Sequence, residues 1–80
     1  MNKGQEHILK GLVYEYGDRI VIEDAEIVAQ GSVVTSIVWN EDTDKLEFYA
    51  GDLETDKNAE QIFPNEDELN EIFNYVVDNF

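Results

Sequence analysis

The chain has 80 residues, 42% of them hydrophobic, and sets 19 acidic residues against 5 basic ones for a formal net charge of −14. That length holds one core, so residues 1–80 are read as a single domain. The charge argues against unaided binding to nucleic acid or to an anionic membrane, because both need Lys and Arg to neutralise phosphates. The absence of cysteine excludes disulfides, thiolate chemistry and a Cys-based metal site.

A domain this small buries only about 60–65% of the surface its unfolded chain would expose, so modest stability is expected. The acidic residues are dispersed among apolar patterns rather than gathered in a tail, which points to a folded chain. Met1 to Glu6 lacks the apolar core of a signal peptide. The longest runs of large apolar residues, Ile20 to Ile22 and Ile37 to Trp39, fall far short of a membrane span. A soluble cytoplasmic protein that does not engage membranes is the expectation.

In chain order, Ile8, Leu9, Leu12, Val13 and Tyr16 fall on one stripe of a helix over residues 5–16. Gly17 stands where a left-handed C-terminal cap would go. Gly11 inside that helix costs about 1 kcal/mol relative to Ala. The same segment has strand-favouring residues in Val13, Tyr14 and Tyr16, and Gly17-Asp18 would suit a hairpin turn, so helix is preferred over strand without excluding it.

Ile20-Val21-Ile22 is a strand core, Glu23 to Glu26 a bend or bulge, and Ile27-Val28-Ala29 a resumption of the apolar pattern. Gln30-Gly31 suits a tight turn, since Gly accepts positive φ. Ser32 to Asn40, rich in β-branched residues, and Lys45 to Ala50 are the clearest strands, joined by the polar loop Glu41 to Asp44. Pairing Asn40 with Lys45 sets Trp39 opposite Leu46, Ile37 opposite Phe48 and Thr35 opposite Ala50. One face then carries Val33, Ile37, Trp39, Leu46 and Phe48, and Trp39 is read as core. The other carries Val34, Ser36, Val38, Glu47 and Tyr49.

Gly51 to Phe63 is a polar connection without periodicity, from which Ile62 and Phe63 are expected to tuck under the next helix. Asn65 and Glu68 form a capping box, and Glu66, Asp67 and Glu68 suit the positive end of a helix dipole. Leu69, Ile72, Phe73, Val76, Val77 and Phe80 make an apolar stripe on that helix, which must be buried against the strands. The predicted fold is α+β: a three-stranded antiparallel meander packed against a C-terminal helix, with an N-terminal helix, in the order α-β-β-β-α. Ile72→Asp or Phe73→Asp should unfold such a domain by burying an unpaired carboxylate, whereas Glu41→Gln with Asp42→Asn should not.

Chemistry is poorly served. His7 is the lone histidine, with no cysteine beside it and no serine in a nucleophile-elbow context. Paired carboxylates need a water-excluding cleft before they can share acid–base work, and the five glycines are scattered singly, so no phosphate loop exists. Asn40 to Asp44 resembles the opening of an EF-hand loop, but Lys45 and Gly51 occupy the positions that need Gly and Glu. A start at Asp52 fails likewise at Lys57 and Phe63. No enzyme, metal or cofactor is expected.

Binding remains. The first reading is a protein-interaction module for a basic protein, with Val38 and Tyr49 as apolar anchors ringed by Glu41, Asp42, Asp44, Asp52, Glu54 and Asp56. The bland counterpart is that the acidic runs are solvated loops and Tyr49 an ordinary strand residue. The second reading is nucleic-acid mimicry, with carboxylates at phosphate-like spacing filling a basic groove. The third is a homodimer rather than a monomer, closing over Val34, Val38 and Tyr49.

Overall fold

A computed structural model describes residues 1–22, 26–51 and 60–80. Its first helix, α1 (Lys3–Glu15), opens on a capping box in which Asn2 Oδ1 accepts from Gln5 N at 2.8 Å and Gln5 Oε1 accepts from Asn2 N at 3.0 Å. It ends in a Schellman motif: Asp18 N donates to Val13 O and Gly17 N to Tyr14 O, with Gly17 at φ 74°. The helix reading of this segment therefore holds, and Gly17 is its left-handed stop.

Among the described residues, the middle of the chain forms an antiparallel sheet: β1 (Arg19–Val21), β2 (Val28–Ala29), β3 (Ser32–Asn40), β4 (Lys45–Ala50) and β5 (Glu60–Ile62). The order is β1-β3-β4-β5, and β2 also pairs with β3. Ile22 N donates to Thr35 O and Val34 N to Ile27 O, so adjacent residues of β3 are served by residues five apart on the neighbouring chain. The expected bend at Glu23 to Glu26 falls in that interval, and residues 23–25 lie outside the described residues. Gln30 (φ 52°) and Gly31 (φ 79°) close the β2–β3 hairpin with positive φ at both turn positions, the type I′ form.

The β3–β4 register matches expectation from Asn40↔Lys45 to Ser36↔Tyr49, then shifts: Val34, not Thr35, lies opposite Ala50. A β-bulge at Thr35 inserts the extra residue, held by its hydroxyl, which donates to Gly51 O at 2.5 Å with Tyr49 O at 3.2 Å. Because side chains alternate along a strand, one extra residue exchanges the two faces beyond it. Val34 is fully buried and Val33 is exposed, the reverse of the sequence expectation.

Helix α2 (Glu66–Asn79) starts at Asn65, whose capping box with Glu68 is formed as expected. Ile72 and Val76 are fully buried and join Leu9 and Val13 of α1, Ile20, Ile37, Phe48 and Ile62 in one core. The sheet therefore lies beneath two helices rather than the last one alone, α1 running against β3 and β1 and beside α2. Three stripe residues depart from expectation: Ile8, Tyr16 and Val77 are exposed. Trp39 sits half-buried at the core's margin. Of the pair expected beneath α2, Ile62 is buried in β5 but Phe63 is not. Among the described residues no helix is long and apolar enough to cross a membrane.

Candidate protein-binding surfaces

Both helices pack against one face of the sheet, and among the described residues no helix covers the other. Across it run two rows set by register: Arg19–Val38–Glu47, and Val21–Ser36–Tyr49–Gln61, with Val28–Val33 beyond them. Val21 and Val28 are each 49% exposed and Val33 42%. Val38 and Tyr49 are half-buried on the same side. Ser36 lies in the middle of its row, buried, with a hydroxyl that meets no partner.

Glu47 is fixed at one side of this face. Its Oε1 accepts from the Tyr49 hydroxyl at 2.9 Å and its Oε2 from Asn40 Nδ2 at 3.2 Å. Residues two apart on a strand share a face, which is why these side chains meet. Burial first, and then the hydrogen bond to Glu47, raise the Tyr49 pKa above 10.0. A phenol bonded to a carboxylate resists acquiring a second negative charge beside it.

The acidic loop behaves differently. Asn40 Oδ1 accepts from Asp42 N at 3.0 Å and from Thr43 N at 3.4 Å, which winds the turn, and Asp44 closes it at φ 55°. Asp44 Oδ1 then takes Lys10 Nζ at 2.8 Å, and Lys10 lies 5.6 Å from the Trp39 ring centroid. The Lys10 ammonium, through its hydrogen bond and its charge, lowers the Asp44 pKa, with a lesser contribution from the Trp39 indole. That indole N–H is buried and closes no full hydrogen bond. Tyr14 meets Trp39 edge-on at 5.7 Å, and His7, Lys10, Gly11, Tyr14 and Trp39 line a shallow groove of about 340 Å³. A Cβ on Gly11 would meet nothing within 4 Å, so packing does not explain the glycine.

The anticipated site residues are thus divided. Val38 and Tyr49 share the outer face, Glu41 and Asp42 stand exposed at the loop tip, and Asp44 turns to α1 to pair with Lys10. Asp52, Glu54 and Asp56 lie outside the described residues. Val21, Val28 and Glu47, absent from the anticipated set, join Val38 and Tyr49. Val21 was legible, because period-two alternation between inward Ile20 and Ile22 turns it outward.

A second concavity, about 390 Å³, opens where β5 stops short. Leu46, Phe48, Ile62, Phe63, Pro64 and Leu69 form its apolar lining, and Phe63 is 67% exposed. Glu47 and Gln61 lie between this cleft and the outer face. No protein-family model matches the chain, and no curated protein or solved structure is significantly similar to it.

Proposed function

We propose that this chain is a non-enzymatic binding protein that docks a basic protein partner through the outer face of its sheet. The observation that carries the reading is the group Val21, Val28 and Val33, each exposed by more than two-fifths on a face that both helices leave open. Apolar anchors with a polar surround are the usual anatomy of a contact surface. A net charge of −14 supports a basic partner, whose encounter such a field accelerates, and suits a soluble protein. Nucleic-acid mimicry ranks second, because the exposed valines of the outer face suit an apolar contact better than a groove filled by charge alone. A homodimer ranks below a foreign partner, since joining two copies at −14 each works against strong repulsion.

The test is capture of partners on immobilised protein at about 0.05 M and about 0.5 M salt, with a Val28→Glu/Val33→Glu variant alongside. Capture should weaken at the higher salt and be lost in the variant, whose melting temperature should stay close to that of the parent. Capture indifferent to the valine substitutions sinks the outer-face reading. Displacement of the captured protein by DNA would move the assignment to mimicry.

A further inference from the structure

We infer that the free edge of β4 at Lys45–Glu47 receives an extended, basic peptide segment, which adds to the sheet where β5 leaves off. The proposal concerns a different surface from the outer valines and does not depend on them.

The ladder between β4 and β5 runs from Ala50↔Glu60 to Phe48↔Ile62 and stops, although β4 continues to Lys45. In the same register Phe63 would face Glu47 and Pro64 would face Leu46. Neither continues the ladder. The Phe63 amide donates instead to Gln30 Oε1 at 2.8 Å, and Pro64 has no N–H to give. Among the described residues, the backbone of Lys45, Leu46 and Glu47 has no strand partner on this side. Such edges pair readily with an added strand, and natural proteins usually cover or blunt them.

Two further features suit an added strand rather than an empty edge. The apolar cleft lies directly beside the vacant positions, and Phe63 stands exposed at its rim. A strand here would alternate its side chains, one toward the cleft opposite Leu46 and its neighbour outward opposite Glu47. The Glu47 carboxylate is already oriented by Tyr49 and Asn40, so the outward residue of the guest is basic, making an opposite-charge cross-strand pair. Exposed Asp67 stands three residues beyond Pro64, and the whole chain carries −14, which favours a positively charged guest. The recognised pattern is a basic residue next to an apolar one, in extended conformation.

The probe is a displayed library of random linear peptides, panned at low salt against the intact protein and, in parallel, against Phe63→Asp. Enriched peptides should share the basic–apolar pair and perturb the amide resonances of Lys45, Leu46 and Glu47. Phe63→Asp should weaken them about tenfold or more, as should methylation of the peptide nitrogen facing the edge. Glu47→Lys, which keeps the apolar lining of the cleft, should abolish the preference for basic peptides. Val28→Glu/Val33→Glu should change nothing, which separates this surface from the outer face. Equal enrichment on Phe63→Asp, resonance changes centred on Val21, Val28 and Val33, or indifference to N-methylation would overturn the proposal. So would a concentration-dependent dimer that Phe63→Asp dissolves, since the edge would then belong to a second copy.

Discussion

Glu47 and Tyr49 show how much a pair two residues apart can determine. Their hydrogen bond fixes a carboxylate on the outer face and raises the phenol's pKa, with burial of the ring as the larger cause. A group whose folded pKa lies above its unfolded value contributes stability below the unfolded pKa and loses it as pH rises through the folded one. The Tyr49 contribution should therefore be intact below pH 10.0 and disappear above it. An ultraviolet titration of phenolate absorbance, compared with a Tyr49→Phe variant to isolate this ring, should place its midpoint above 10.0. Glu47→Gln should bring it back toward that value, and a midpoint unmoved by the substitution would leave burial as the sole cause. Gln30 is a second residue settled by its surroundings. Its positive φ is unfavourable for a side chain with a Cβ, yet its N–H donates to Glu68 Oε2 at 3.0 Å and its Oε1 accepts from Phe63. The hairpin turn is thereby tied to the start of α2.

At the scale of elements the bulge at Thr35 has the largest consequence. It exchanges Val33 and Val34 between faces, so two adjacent and chemically identical residues have opposite tolerance of charge. Val34→Asp should cost several kcal/mol and unfold a domain whose whole stability is about 5–15 kcal/mol. Val33→Asp should cost about 1 kcal/mol, the scale of strand propensity. Thermal denaturation of both variants checks this, and equal losses would place the bulge elsewhere. The strand itself was legible in the run of β-branched residues, and its register from Ser36 to Asn40 followed from the four-residue loop. The bulge was not, because Val33-Val34-Thr35 offers nearly equivalent side chains to either face and only the contacts of Thr35 with the Tyr49 and Gly51 carbonyls mark the extra residue. The same limit explains Val77. The helix stripe is wide enough by spacing to hold it, yet it is exposed, because spacing does not say which edge of a wide stripe the rest of the fold covers.

For the molecule as a whole, charge is the dominant feature. Nineteen acidic residues face five basic ones, and the ion pairs among the described residues are Lys10 with Asp44 and the Met1 amine with Glu66. Self-repulsion of this kind destabilises the compact state and is relieved by screening. The melting temperature should rise as salt is raised from about 0.01 M to about 0.5 M, by about 4–8 °C for each kcal/mol regained. A melting temperature that falls over that range would show that the two pairs outweigh the repulsion. The acidity also blurred the candidate site, because in a chain this rich in carboxylates no single acidic run stands out as functional.

The sequence by itself determined the helices, the capping box of α2, the glycine stop of α1, the central hairpin and the α+β class, while the capping box of α1 at Asn2 and Gln5 came only with the structure. Each of these rests on periodicity or on contacts within a few residues, and such information is local. Tertiary structure alone decided that α1 shares the sheet with α2, that Val33 looks outward, that Asp44 leaves the anticipated surface for Lys10, and that β5 ends before β4 does. Those outcomes come from partners distant in the chain competing for the same side chain or backbone group, and spacing along the chain does not encode which of them wins.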